Sequence, residues 1–200
     1  MSNSARTSQP FPSEPMPALT FESVYAETVV FVWRAARRLG VEGEALDDVC
    51  QEVFVAVHKG LADFAGLGSV KTWVFGILRN SVRMYRRGQA RKNPPGRTRW
   101  SVVDAEQLGS PDKSPYELVS SAQALRIAHE ILDSLSEEKR EVFVLVELEQ
   151  WSIVDAAEAL GVNVNTVSTR LRAARKEFAQ AAHRIRIRDS LRNRDSWRSE

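Results

Sequence analysis

From Phe21 onward, apolar residues recur at intervals of three and four, the period of an amphipathic helix. Phe21, Val24, Tyr25, Val29, Val32, Ala36 and Leu39 follow this spacing before Gly40 and Gly43 interrupt it. A second helix is expected from about Glu44, with carboxylates in its first turn, where the helix dipole favours them. Its apolar side reads Val49, Val53, Val57 and Leu61. Gly66 and Gly68 mark a loop, and a third helix is expected from Val70 to Arg87 with Trp73, Ile77, Val82 and Tyr85 toward a core. Over residues 88–116 the pattern breaks: Pro94, Pro95, Gly96, Gly109, Pro111 and Pro115 argue against a long helix. Periodicity resumes with Ala122, Leu125, Ala128, Ile131, Leu132 and Leu135, and Ser136 stands as an N-cap ahead of Glu137 and Glu138. Val142, Phe143 and Val146 continue that helix's apolar side. No sustained strand alternation is visible, so the pattern predicts an all-α fold of two small helical domains joined by a flexible linker.

The expected organisation is a disordered tail at 1–18, a helical domain at 19–90, a linker at 91–117, a second helical domain at 118–183 and a basic tail at 184–200. The first tail is rich in Ser and Pro and has no apolar signal core. No stretch approaches the length that spans a bilayer, which predicts a soluble, cytoplasmic protein without membrane insertion. At 43% hydrophobic, 200 residues can bury cores, and the net charge of +2 alone says nothing about nucleic acid. Its distribution says more. Residues 42–52 carry five carboxylates and no basic residue, whereas residues 79–99 carry eight basic residues and no acidic one. One surface for a basic partner and another for a polyanion fit this asymmetry, although each run alone also fits a solvated helix face. The single cysteine, Cys50, cannot pair internally and reads as a buried, inert thiol. His58, His129 and His183 lack ligand spacing, and no nucleophile with a base or Gly-rich phosphate loop is visible. Neither a metal, a cofactor nor an enzymatic activity is expected.

The most informative segment is IVDAAEALGVNVNTVSTRLRAARK, residues 153–176. Ala157 is small enough for two helices to cross closely. Gly161 can take the positive φ that ends a helix in a sharp turn. Asn163 can cap the next helix, and Val167 buries on its inner face beside Leu160, Val162, Leu171, Ala174 and Phe178. The opposite face presents Thr166, Ser168, Thr169, Arg172 and Lys176, flanked by Arg170 and Arg175. Such a mixture bonds base edges and phosphates in a major groove, with the N-terminal residues of the helix nearest the bases. A helical hairpin with a solvated face is the plainer reading.

The segment NTVSTRLRAAR resembles the recognition helix of sigma factor domain 4, preceded by DAAEALGV in place of the family's EIAEALGV. DDVCQEVFVAVHK, from Asp47 to Lys59, resembles the sigma-factor surface that engages the polymerase clamp, and KTWVFGILRNSVRMYRR, from Lys71 to Arg87, is similar to the reader of the promoter −10 element. The two sets stand in the family's order and leave no room for the extra domains of housekeeping sigma factors. The resemblance is therefore to the small extracytoplasmic-function group. It implies a promoter-recognition subunit of RNA polymerase, not an enzyme.

Asp48, Gln51, Glu52, Phe54 and His58 are spaced as a mixed polar and apolar ridge on one helix, although helix surface and core also fit Glu52 or Phe54 singly. The resemblance implies that this ridge docks on the clamp coiled coil of the largest polymerase subunit. Arg79, Arg83, Arg86 and Arg87 share a helical face without carboxylates, suited to phosphates, with Asn80 beside them able to bond a base. The resemblance implies that the loop from Phe64 to Ser69 captures a base flipped from the −10 strand near Asn80. It also implies that Asn163, Asn165, Thr166, Ser168, Thr169, Arg170, Arg172, Arg175 and Lys176 meet the −35 element, that the C-terminal domain holds the polymerase flap, and that an anti-sigma factor covers the same surfaces. Trp73 reads as core packing. Asn165 replaces a usual Gly, Ser168 a usual basic residue, Ala173 a common Arg, and Val146 a residue that is often basic. The family's −35 preference therefore does not transfer. A conventional DNA-binding regulator and a sigma-like decoy that binds only proteins remain open alternatives.

Overall fold

The computed structural model describes residues 19–66, 68–92 and 115–196. The expected tail at 1–18 and most of the expected linker at 91–117 lie outside the described residues. Among the described residues seven helices follow in order: α1 (Phe21–Arg38), α2 (Ala45–Gly60), α3 (Val70–Lys92), α4 (Pro115–Ser134), α5 (Glu137–Phe143), α6 (Ile153–Leu160) and α7 (Val164–Ser196). A 3-10 turn at Leu61–Asp63 extends α2, and a π turn at Val144–Leu148 extends α5. Among the described residues there is no strand.

Local chemistry sets most helix starts. Thr20 and Ser23 form a reciprocal capping box at the head of α1, at 3.1 and 3.2 Å. Ser69 accepts from the Thr72 amide at 3.0 Å at the head of α3, and Ser152 accepts from the Asp155 amide at 3.0 Å at that of α6. Several elements outrun their sequence-based bounds. α3 continues to Lys92, two residues short of Pro94, and α4 begins at Pro115, because proline at a first helical position gives up no intrahelical bond. The basic segment from 184, expected as a tail, is helical as far as Ser196: no Gly or Pro interrupts the chain from Val164 onward.

Helices α1 to α3 enclose Val24, Val32, Val53, Val57, Val74, Phe75 and Leu78, all fully buried. The buried stripe of α3 is rotated from its expected position. Val74, Phe75, Leu78 and Val82 form it, while Trp73, Ile77 and Tyr85 are half-buried and pack on its flank. The cause is that α3 is covered from two sides, by α1 and α2 and also by α6. In the C-terminal unit, Val142, Val144, Leu145, Val167 and Ala174 are buried, and Phe143 stacks on Phe178 at 4.8 Å.

The two helical units share one continuous core. Trp151, from the turn before α6, inserts between Phe31 of α1 and Phe75 of α3, with ring centroids 5.6 and 5.7 Å away. Lys71 lies over its ring at 5.3 Å. Nearby, Arg140 of α5 is 1% exposed. It meets Asp133 at 2.7 Å and donates to the Leu39 carbonyl at the end of α1 at 3.3 Å, satisfying an orphan acceptor of that helix. Burial depresses the Arg140 pKa to about 10 even though Asp133 acts to raise it. Gly40, at φ 95°, is what lets the arginine pass: a Cβ there would stand 2.6 Å from its Nη1.

Candidate functional site

Asp48, Gln51, Glu52 and His58 are exposed along α2, as a docking ridge requires. Phe54 differs. It is 8% exposed and turned toward α1, where its ring meets Tyr25 at 4.7 Å. Phe21 approaches the His58 ring edge at 5.3 Å. These aromatics floor a groove of about 600 Å³ between α1 and α2, with Val29, Trp33 and Cys50 in its walls. Asp47 lines the groove and Asp48 and Glu52 stand exposed on the same helix, so an apolar floor meets acidic edges. That chemistry suits a partner carrying both apolar and basic side chains. Cys50 is half-buried rather than buried; desolvation, helped by Asp47, pushes its thiol up to about 11, so it stays protonated near neutrality. The share of α1 in this groove was not legible in the sequence, where Phe21, Tyr25 and Val29 read simply as core.

The four arginines of α3 do not stay together. Arg79 Nε reaches Glu141 of α5 at 2.8 Å, and its Nη1 donates to the Leu160 carbonyl at 3.2 Å. Arg83 pairs with Glu137 through Nε and with Glu141 at 3.2 Å through Nη2. Arg86 is half-buried, with Arg140 and Asp133 in its electrostatic range, and Arg87 and Asn80 face outward. In the loop before α3, Phe64 lies 5.0 Å from Trp73, while the Ser69 hydroxyl is used as a helix cap. Leu67 of that loop lies outside the described residues.

A second ionic cluster joins the units through Glu149, 1% exposed at its side chain, which pairs with Arg34 at 2.9 Å and with Arg38. Burial acts to lower the Arg38 pKa, and Glu149 opposes that shift. Trp151, Glu149 and Arg140 were not singled out from the sequence, because nothing local marks a partner a hundred residues away.

The helix-turn-helix is formed by α6 and α7. Gly161 takes φ 64° and its amide donates to the Glu158 carbonyl, while the Val162 amide returns to Ala157 at 3.0 Å. Asn163 caps α7 by accepting from the Asn165 amide at 2.8 Å. Ala157 and Val167 are buried at the crossing. On the outer face, Asn163, Asn165, Ser168, Thr169, Arg172 and Lys176 are exposed, and Thr166 and Arg170 are half-buried. Arg175 is exposed but forks onto Glu147 at 2.6 and 2.9 Å. The Ser168 hydroxyl donates back to the Val164 carbonyl at 3.0 Å. Among the described residues, no three His, Cys, Asp or Glu side chains are grouped to hold a metal ion, and no helix is long and apolar enough to cross a membrane.

Comparison with known proteins agrees with this geometry. Residues 24–92 match the family model of sigma-70 region 2, and residues 125–178 match that of sigma-70 region 4. The chain is 33% identical over 146 residues to RNA polymerase sigma factor NccH of Alcaligenes xylosoxydans xylosoxydans, covering 72% of this chain and 77% of that one. It is 28% identical over 134 residues to the ECF RNA polymerase sigma-E factor of Escherichia coli, covering 64% of this chain and 69% of the relative. Its fold is similar to that of CnrH, a sigma factor of Cupriavidus metallidurans, solved in complex with the cytosolic domain of CnrY. There the TM-score is 0.60 at 28% identity, over 82% of this chain and 87% of the other. With both regions matched in order and the helix-turn-helix in place, the chain belongs to the extracytoplasmic-function group of sigma-70 RNA polymerase sigma factors.

Proposed function

We propose that this chain docks on core RNA polymerase through the α2 ridge and the groove beside it, and directs initiation at promoters carrying a −35 and a −10 element. The domain at 19–90 would grip the clamp coiled coil and help to melt the −10 element, reading it with Asn80, the α3 arginines and the Phe64–Ser69 loop. The domain at 118–183 would lay α7 in the −35 major groove and hold the flap, with the 91–117 linker running between them. Nucleotide addition belongs to the polymerase, so the chain needs no catalytic residue or cofactor of its own, and it would act in the cytoplasm. Control by an anti-sigma factor fits the apolar groove with acidic edges, and the related CnrH was solved bound to a protein domain.

The observation that carries the reading is the outer face of α7. Asn165, Ser168, Thr169 and Arg172 stand exposed at the start of a well-capped second helix, where a recognition helix meets base edges. The test is run-off transcription with purified bacterial core polymerase on fragmented DNA from the source genome, with and without the protein. Discrete start sites only in its presence are expected. Silence with core binding intact would point to a decoy, and silence without core binding to an ordinary regulator. Reversing charge with Asp48→Arg and Glu52→Arg should abolish core binding while the C-terminal region still binds duplex; unchanged core affinity would remove α2 from the docking surface.

A further inference from the structure

The groove between α1 and α2 has a direction as well as an apolar floor. The two helices run antiparallel along it. Phe21 meets His58 at 5.3 Å at one end, Tyr25 meets Phe54 at 4.7 Å farther in, and Trp33 and Asp47 line the other end. From Phe21 to Trp33 the floor is about 18 Å long. Aromatic rings run along it, and Tyr25 and Val55 stand 43% and 47% exposed in it. Its charges are ordered too. Lys59 lines the end where the chain enters α1, whereas Asp47 lines the far end, with Glu44 exposed beyond it.

A row of aromatic rings is the surface that takes proline-rich chain in the polyproline II form, whose stiff rings have little side-chain entropy to lose. Such a segment stands in this chain just ahead of the groove: residues 10–17 read PFPSEPMP. Proline holds φ at about −65°, which favours that form. With three residues per turn, Pro12 and Pro15 fall on one face with Phe11 beside it, and about six residues at 3.1 Å each match the length of the floor. Because α1 begins at the Phe21 end, a segment that turns back ahead of Thr20 runs along the groove toward Trp33. That direction sets Glu14 on the side of Lys59, and Arg6, eight residues farther from α1, has ample length to reach Asp47 and Glu44. The order of charges in the segment is thus complementary to the order in the groove.

We infer that the α1–α2 groove is a receptor for a polyproline segment, and that residues 10–17 of the same chain occupy it in the free protein, with Phe11, Pro12 and Pro15 on the aromatic floor. Tethering makes a weak contact sufficient. At an effective concentration on the order of 1 mM, a segment with an intrinsic Kd of about 0.5 mM covers the groove about two-thirds of the time. On the proposed role of α2, the segment and the polymerase clamp would contend for one surface; the occupancy itself does not depend on that role.

Cys50 lines the groove and is the only cysteine of the chain, so its rate of alkylation reports cover. The test compares the wild-type full chain with Phe11→Ser/Pro12→Ser/Pro15→Ser, whose substitutions precede α1 and leave the helical cores untouched. Alkylation by N-ethylmaleimide at one fixed pH should be about threefold faster in the triple variant. A fluorescent peptide of residues 8–18 should bind the triple variant, and bind the wild type about threefold more weakly. Adding Val55→Glu, at an exposed wall of the groove, should abolish peptide binding. Equal alkylation rates, or a peptide that does not bind the triple variant, would overturn the occupancy and leave the sigma-factor reading intact. Protection of Cys50 that rises with protein concentration would assign the groove to a second copy and overturn the intramolecular occupant. Core polymerase should bind the triple variant about threefold more tightly than the wild type. Equal core affinity alongside unequal alkylation would leave the occupancy standing, and the failure would then lie in the proposed docking of the clamp on this groove.

Discussion

Two surfaces of this protein carry similar chemistry in the sequence and are treated oppositely by the fold. Both α3 and α7 present arginines beside small polar side chains that can bond bases. On α7, Asn165, Ser168, Thr169 and Arg172 point into solvent from a helix whose start is fixed by Asn163 and Gly161. On α3, Arg79 and Arg83 are drawn into the seam by Glu141 and Glu137, and Arg87 and Asn80 are left outside. Charge pattern alone would rank α3 as the stronger polyanion site; the structure shows that availability is decided by partners far away along the chain. A basic stripe says what a surface can bind, and its neighbours in the fold say what already occupies it.

The comparison can be broken most sharply at Trp151. Trp151→Ala removes the aromatic wedge between Phe31 and Phe75 and should lower the free energy of unfolding by about 3–5 kcal/mol, read by urea denaturation of the full chain. A loss below about 1 kcal/mol would mean that the units do not pack in solution as described. Glu149→Gln should act more weakly, near 1 kcal/mol, because Arg34 and Arg38 are 48% and 27% exposed and water screens them. Its cost should shrink as salt rises; a loss indifferent to salt would assign Glu149 to packing instead of charge. Smallest in stability is Arg172→Ala, expected within about 0.5 kcal/mol of the parent. Its effect should fall on duplex binding at a promoter identified by run-off transcription, whose salt slope should drop by about 1 if Arg172 meets a phosphate. Unchanged binding and promoter selection would remove it from the recognition face.

What the sequence showed clearly was whatever is local. The helix-turn-helix follows from Ala157, Gly161, Asn163 and Val167, all within eleven positions, and each behaves as its chemistry dictates. The all-α class follows from periodicity in the same way. The bounds of α7 were legible in principle, since no breaker stands between Val164 and Ser196, but the density of arginine read as a solvated tail. The rotated stripe of α3 was not legible, because burial of Val74, Phe75 and Leu78 depends on a second layer of helices lying over α3. Phe54 shows the same limit: its spacing fits a docking ridge and a core equally, and only the position of Tyr25 decides between them. Arg79 and Glu141 stand 62 positions apart and Arg34 and Glu149 stand 115 apart, across a linker that leaves no local trace of either pairing.

The length of α7 has a mechanical consequence. Its 33 residues form one uninterrupted helix, a rod of about 50 Å at 1.5 Å per residue. The end proposed to read a groove and the arginine-rich end are therefore a single lever, with α4 and α5 packed against it as the bearing. Rotation of that lever by about 5° displaces its far tip by roughly 4 Å, close to one base-pair step. On the proposed reading of α7, whatever grips the distal arginines would set the angle at which Asn165 and Arg172 enter a groove, so that a contact made far from any base would tune which bases are read.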